Sequence, residues 1–128
     1  MKYYLTTPIY YVNDVPHLGH AYTTVAADVL SRWHRLHGKE VFFLTGTDEH
    51  GAKIAQAAAR MDQTPVEFCD RISGEFKTAW QRMKIRYDFF IRTTDPLHEK
   101  AVRNFLEILY KTGDIYKSQY KGLYCVQC

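Results

Sequence analysis

The sequence predicts an α/β fold built on a parallel sheet, and three observations indicate it. Segments rich in β-branched and aromatic residues, at 3–10, 41–46 and 88–94, alternate with segments of helical periodicity. Glycines and capping residues lie at the expected boundaries. The composition, 46% hydrophobic and 24% charged over 128 residues, is that of one globular domain at most. Strands joined through helices run parallel with right-handed crossovers, so we expect the first half of a Rossmann-type doubly wound sheet.

The first strand, 3–10, is rich in tyrosine, threonine and isoleucine. The helix predicted over 18–37 has apolar residues at helical spacing, and Gly38 lies where a helix-ending glycine belongs. Those apolar positions are Leu18, Tyr22, Val25, Ala26, Val29, Trp33 and Leu36. Residues 41–46 form a short continuous apolar run, which favours a strand buried on both faces.

The next helices are predicted over 52–60 and from Thr64 onward. In the second, Thr64 is the N-cap, Pro65 takes the first helical position and Glu67 closes a capping box. Its core face is predicted to consist of Cys69, Ile72, Phe76, Trp80 and Met83.

A third strand is predicted at 88–94, followed by a helix that begins at Asp95-Pro96 and ends at Gly113. We expect its inward face to hold Ala101, Phe105, Ile108 and Leu109. The segment 115–125 resembles a hairpin with Lys121-Gly122 near its turn.

Bulk properties exclude some classes of protein. The net charge of +3 is spread along the chain and fits a nucleotide partner without requiring one. No apolar run approaches the roughly 20 residues that span a bilayer, and the N-terminus lacks a signal-peptide cleavage site. Three cysteines without such a signal favour a reducing compartment. We therefore expect a cytoplasmic protein with no membrane or DNA partner.

Two polar clusters follow the first two predicted strands, at 13–20 and 46–51. In open α/β sheets, ligands bind at the carboxyl ends of the strands. The first cluster places His17, Gly19 and His20 at a helix start, where backbone N–H groups attract phosphate and glycine permits close approach. Histidines three residues apart lie on adjacent positions of one turn and can converge on one anion.

Structural alternatives exist for several of these residues. A single histidine at a helix start is often simply solvated. Asp48 could cap the helix that begins at Ala52. Glu49 and His50 fit a role in supporting the turn or the pocket wall, and Tyr10 fits core packing.

The sequence resembles the methionyl-tRNA synthetase family of class I aminoacyl-tRNA synthetases. "PHLGH" is similar to the HIGH signature of the class. The narrower resemblance rests on "TTPIYYVND", "FFLTGTDEHG", "YDFFIRTTD" and "GDIYKSQYKGLYCVQC", which follow the family's order along the whole chain.

The resemblance implies a methionine–tRNA ligase that uses ATP and Mg²⁺ to form methionyl-adenylate and then charges tRNA(Met). It implies that His17 and His20 are catalytic and stabilise the α-phosphate. Asn13, His17, Gly19 and His20 would bind ATP. Ile9, Tyr11 and Asp48 would bind methionine, with Asp48 receiving the ammonium group. A zwitterionic amino acid in a dry pocket needs such a carboxylate.

The resemblance also assigns the end of the chain. Residues 1–114 correspond to the N-terminal half of the catalytic domain, and 115–128 to the start of a zinc-knuckle insertion called the connective peptide. Cys125 and Cys128 would be two of four ligands of a structural Zn²⁺, although their spacing alone also fits an unliganded or redox pair. No loop resembling KMSKS occurs. We therefore expect a truncated piece, inactive alone and prone to associate through an unpaired strand edge.

The residues are also compatible with two other hypotheses. One is a different class I synthetase, which the amino acid that drives ATP–pyrophosphate exchange would reveal. The other is a stand-alone nucleotide- or tRNA-binding module without ligase activity.

Overall fold

The computed structural model describes residues 1–123 and 125. Within them, strands and helices alternate along the chain as predicted. The strands are β1 (Lys2–Thr6), β2 (Tyr10–Tyr11), β3 (Glu40–Asp48) and β4 (Phe89–Arg92), and the helices are α1 (Leu18–Leu36), α2 (Ala52–Arg60), α3 (Pro65–Arg82) and α4 (Pro96–Thr112).

All four strands run parallel in one sheet with β3 at its centre. Leu44 pairs with Thr6 of β1 and with Phe89 of β4, so β1 and β4 lie on opposite sides of β3. Thr47 pairs in the same way with β2 and β4, which places β2 in line with β1. The predicted parallel α/β fold is confirmed, and the β1–β2 side of the sheet has a pairing partner only in β3 among the described residues.

The single strand predicted over 3–10 is wrong in one respect, because it is interrupted between Thr6 and Tyr10. Pro8 has no N–H to donate to a ladder, which explains the break. The chain resumes pairing one residue out of step, since Thr6 aligns with Leu44 but Tyr10 with Thr47. The shift determines which side chains of β2 face each side of the sheet.

The hydrophobic core lies between one face of the sheet and the helices. Tyr10 illustrates the arrangement, because its ring contacts His20 of α1 as well as Phe76 and Trp80 of α3. Four of the five predicted core positions of α3 are buried, whereas Met83 is the C-cap and 39% exposed. β3 is longer than predicted, and only its C-terminal half is buried, so the prediction of burial on both faces is wrong for its first half.

The apolar residues of α1 do not face the sheet. Its buried positions are mostly small or polar: Thr24, Ala27, Asp28, Ser31 and His34. Leu18, Tyr22, Val29 and Leu36 on the other side are all more than half exposed. Helical spacing predicted the helix correctly, but it did not identify the face that contacts the sheet.

Helix boundaries agree closely with the sequence. Gly38 follows α1 with a φ of 73°, and the predicted Thr64–Glu67 capping box is present. Asp95 caps α4, and Gly113 ends it in the left-handed region. These boundaries depend on short-range interactions, which explains why the sequence predicts them well.

Two expectations about the C-terminal part are wrong. No residue of α4 is buried: of the predicted inward face, Ala101, Phe105 and Ile108 are exposed and Leu109 is only partly buried. No strand forms in 115–123 or at 125, where a hairpin was predicted. An isolated two-stranded hairpin is marginally stable at best without a surface to pack on, which is the physical reason. None of the helices in the described part of the chain is both long enough and apolar enough to span a bilayer.

Candidate active site at the carboxyl ends of the strands

His17 and His20 cap α1 reciprocally. His17 is the N-cap, and its Nδ1 accepts a hydrogen bond from the backbone N–H of Gly19 at 3.1 Å. The Nδ1 of His20 accepts from the backbone N–H of His17 at 3.2 Å. The two imidazoles are stacked with ring centroids 3.8 Å apart. The alternative of a merely solvated histidine is therefore wrong for both.

This capping fixes the tautomer of both rings. A neutral imidazole whose Nδ1 accepts a hydrogen bond carries its proton on Nε2. Each ring thus has an Nε2–H donor that the capping interaction does not use. Burial lowers the pKa of His20, and the nearby His17 lowers it further, so the neutral form is favoured. The pair can donate hydrogen bonds to an anionic oxygen without first losing the caps.

Tyr10 ties this helix start to the sheet. Its ring centroid lies 4.8 Å from that of His20, and its hydroxyl forms a 2.8 Å hydrogen bond with Thr24 one turn further along α1. Phe76 contacts the other side of His20, with ring centroids 5.1 Å apart. Tyr10 is 7% exposed, which confirms core packing and adds a positioning role that the sequence did not reveal.

Tyr11 and Asp48 are register partners at the ends of β2 and β3. Partners in a parallel ladder point to the same face, and neighbours along a strand point to opposite faces. Tyr11 and Asp48 therefore lie opposite Tyr10 and the histidines. A ligand that contacts both the Tyr11–Asp48 pair and the histidines must extend across the carboxyl edge of the sheet.

The remaining predicted site residues lie near this edge. Ile9 precedes β2 and is 39% exposed. Asn13 lies in the turn between β2 and α1 and, with Tyr11 and residues 51–53, lines a cleft of about 430 Å³. Asp48 does not cap α2, whose N-cap is Gly51 without a side-chain hydrogen bond, so that alternative is wrong.

A buried ion-pair network, which the sequence did not predict, lies beside Asp48. The Glu49 side chain is completely buried, and its carboxylate accepts two hydrogen bonds from Arg92, at 2.7 and 2.8 Å. It also accepts from the hydroxyls of Thr47 and Thr94. Hydrogen bonds to Glu49 and Asp70 raise the pKa of Arg92. Arg92 also contacts Asp70 at 2.6 Å, so the carboxylate of Glu49 is fully occupied by partners inside the protein, whereas no such ion pair involves Asp48 among the described residues. Glu49 supports the end of β3, as its position in "GTDEHG" suggested.

The cysteines divide into two kinds. Cys69 is buried, and its burial raises the pKa of the thiol to about 11, so it is unreactive at neutral pH. Cys125 is exposed, and Cys128 lies outside the described residues. Among residues 1–123 and 125, no cluster of three or more histidine, cysteine, aspartate or glutamate side chains could hold a metal ion. The described chain therefore offers Cys125 but not a complete zinc site.

The reciprocally capped HLGH turn, which resembles the HIGH signature of class I aminoacyl-tRNA synthetases, lies at the carboxyl edge of the parallel sheet. The family profile described as "tRNA synthetases class I (M)" matches residues 3–128, and the chain belongs to this family.

Individual relatives agree with this assignment. The chain is 55% identical to a methionine–tRNA ligase of Thermotoga maritima over 128 residues, which are 100% of this chain and 20% of that protein. It is 57% identical to that of Helicobacter pylori strain J99 over 99% of this chain and 19% of that protein. The chain thus spans about a fifth of the length of these relatives.

A solved structure shows the same fold. The Mycobacterium tuberculosis methionyl-tRNA synthetase in complex with methionyl-adenylate superimposes with a TM-score of 0.87 at 44% identity. The match covers 90% of this chain and 23% of that one.

Proposed function

We propose that this chain forms one half of the active site of a methionine–tRNA ligase, which activates methionine with ATP and transfers it to tRNA(Met). The observation that carries the proposal is the reciprocal cap, because it leaves two Nε2–H donors at a helix N-terminus. The relatives named methionine–tRNA ligase and the neighbour bound to methionyl-adenylate support the choice of substrate.

Each site residue has a role that follows from its place. The Nε2–H groups of His17 and His20 donate to the α-phosphate of ATP as the methionine carboxylate attacks it, where negative charge accumulates. Gly19 keeps the helix start open for the nucleotide, and Asn13 contacts it from the preceding turn. Catalysis by positioning and charge stabilisation requires no covalent nucleophile.

Methionine is proposed to bind on the other side of the strand ends. Asp48 receives its ammonium group, the ring of Tyr11 lies beside it and the backbone of Ile9 completes the wall. The pairing of Tyr11 with Asp48 supports this placement, since it puts both groups on one face. A methionyl-adenylate, with its phosphate at the histidines and its methionine at Tyr11 and Asp48, would then cross the edge of the sheet.

The remaining assignments concern metals, partners and domain limits. Mg²⁺ is proposed to accompany the phosphates of ATP, for which it needs few protein ligands. Thiolates suit Zn²⁺, so Cys125 and Cys128 are proposed as two of its four ligands, the other two not being supplied by the described residues. Residues 1–114 are proposed as the catalytic half-domain and 115–128 as the start of the insertion, in a cytoplasmic enzyme.

The test is ATP–pyrophosphate exchange by the protein as its gene encodes it, with each of the twenty amino acids. Exchange driven by methionine, and lost in His17→Ala and His20→Ala variants, is expected. Exchange driven by another amino acid would identify a different class I synthetase. No exchange with any amino acid, together with retained tRNA or ATP binding, would identify a binding module.

A further inference from the structure

Thr93, which directly follows β4, makes its polar contacts with the end of β3. Its N–H donates to the carbonyl of Thr47 at 3.2 Å, and its own carbonyl accepts from Nε2 of His50 at 3.3 Å. Its hydroxyl oxygen accepts from the N–H of Glu49 at 2.8 Å. Three successive hydrogen bonds therefore fix a residue that is 8% exposed.

The hydroxyl proton of Thr93 is directed by this arrangement. Since the oxygen already accepts from Glu49, the proton must point to a second acceptor. Oδ1 of Asp48 lies 3.4 Å from the hydroxyl oxygen, within donating distance. Arg92 and Thr94, on either side of Thr93, both donate hydrogen bonds to the Glu49 carboxylate, which ties the segment to the end of β3.

We propose that Thr93 is a positioning residue that holds the Asp48 carboxylate in the orientation that receives the ammonium group of methionine. This inference rests on the proposed function, because it needs Asp48 to be the ammonium receptor. The Thr93 hydroxyl donates to one oxygen of Asp48, which favours one orientation of the carboxylate. The second oxygen is then presented to the ligand at low entropic cost.

The experiment compares methionine with its desamino analogue, which has the same side chain and carboxylate but no ammonium group. Binding constants are measured by calorimetry on the protein as encoded, for the parent and for Thr93→Val and Thr93→Ser. Valine keeps the shape of threonine without the hydroxyl, and serine keeps the hydroxyl. Thr78→Val, an exposed threonine of α3, is the matched control.

Thr93→Val is expected to weaken methionine binding about five- to tenfold, the usual effect of losing one hydrogen bond. Binding of the desamino analogue should change less than twofold, and the KM for ATP in pyrophosphate exchange should stay constant. Thr93→Ser should restore methionine affinity, and Thr78→Val should behave as the parent. Thr93→Val also leaves the Glu49 N–H without its acceptor, so the stability of this variant is expected to fall. The comparison is still valid, because the ratio of the dissociation constants of methionine and its analogue does not depend on the folded fraction.

Equal weakening of both ligands would show a purely structural role and overturn the proposal. Unchanged methionine binding in Thr93→Val would also overturn it. The variant Asp48→Asn then distinguishes failure of the role of Thr93 from failure of the proposed function. If Thr93→Val fails in either way while Asp48→Asn weakens methionine binding but not binding of the analogue, the proposed function stands and only the role of Thr93 is wrong. If Asp48→Asn has no effect, the assignment of Asp48 fails, and the proposal fails with it.

Discussion

Gly46 provides a sharp test of how closely β3 and β4 must approach. It pairs with Ile91, and a Cβ built on Gly46 would lie 2.0 Å from the Ile91 carbonyl oxygen and 2.6 Å from its Cγ2. Contacts below 3.0 Å essentially do not occur, so a Gly46→Ala variant requires β4 to move by about 1 Å. The obstacle is backbone, which cannot rotate aside as a side chain can.

The expected cost follows from this geometry. Overpacking a well-packed site costs about 1–3 kcal/mol and occasionally more. A shift of β4 also stretches its hydrogen bonds to β3, so we expect Gly46→Ala to lower the free energy of unfolding by about 3 kcal/mol or more. Gly74 of α3 is the matched control, because a Cβ there meets nothing within 4 Å. Gly74→Ala should raise the free energy of unfolding by about 0.5–1 kcal/mol.

Urea unfolding of the 128-residue chain, followed by circular dichroism at low micromolar concentration, measures both changes. A Gly46→Ala variant within about 0.5 kcal/mol of the parent would refute the reasoning, since that is the scatter of neutral surface substitutions. The proximity of Gly46 to Asp48 adds a second readout. Movement of β4 carries Thr93 away from Asp48, so methionine binding by the protein as encoded should weaken as well.

Three further predictions concern the helix start and the sheet edge. In Gly19→Ala, a Cβ would lie 3.0 Å from Cε1 and 3.2 Å from Nδ1 of His17; we expect about a tenfold loss of pyrophosphate exchange through displacement of that ring, with methionine affinity unchanged. The pKa of His20 is lowered by burial and by His17, so between the folded value and 6.5 the unfolded chain binds more protons and stability falls as pH falls. Urea unfolding at pH 7.5 and 5.5 should show this loss of stability, with a slope well below 1.4 kcal/mol per pH unit because the ring is only partly buried. The variant His20→Asn, which keeps an acceptor for the His17 N–H, should reduce that slope. Finally, the 128-residue chain should self-associate through the β1–β2 edge and the exposed apolar side of α1, as measured by light scattering.

Each of these has a clear contrary result. Unchanged exchange in Gly19→Ala would show that the His17 ring tolerates displacement. A pH slope that is equal in the parent and in His20→Asn would assign the titration to other groups. A monomer at high concentration would show that the strand edge and the apolar side of α1 are not adhesive.

The sequence predicted features that depend on neighbouring residues. The Thr64–Glu67 box, the Asp95 cap and the glycine after α1 are determined within a few positions, so their signals are visible in the sequence. The HLGH turn was likewise predicted to lie at a helix start, but its reciprocal caps were not predicted, although they join residues only two or three apart.

Features that depend on distant residues were not predictable. The hydrogen bonds that join Glu49 to Arg92 connect positions 43 residues apart, and nothing in either local sequence indicates the pair. The inward face of α1 was hidden for a different reason. Its small and polar residues, such as Ser31, face the sheet, and the stripe of larger apolar residues that helical periodicity detects lies outside.

The break at Pro8 has a consequence for the mechanics of the proposed methionine pocket. One wall, at Asp48, is anchored through Thr93 and the buried Glu49. The opposite wall, at Ile9 and Tyr11, rests on a strand of only two residues that follows a proline. The Asp48 wall is therefore joined to β4 through several side-chain hydrogen bonds, whereas Tyr11 is held to β3 by a two-residue ladder. If methionine binds as proposed, we expect its amino group to be fixed by the Asp48 wall, and tolerance for altered side chains to depend on the wall at Ile9 and Tyr11.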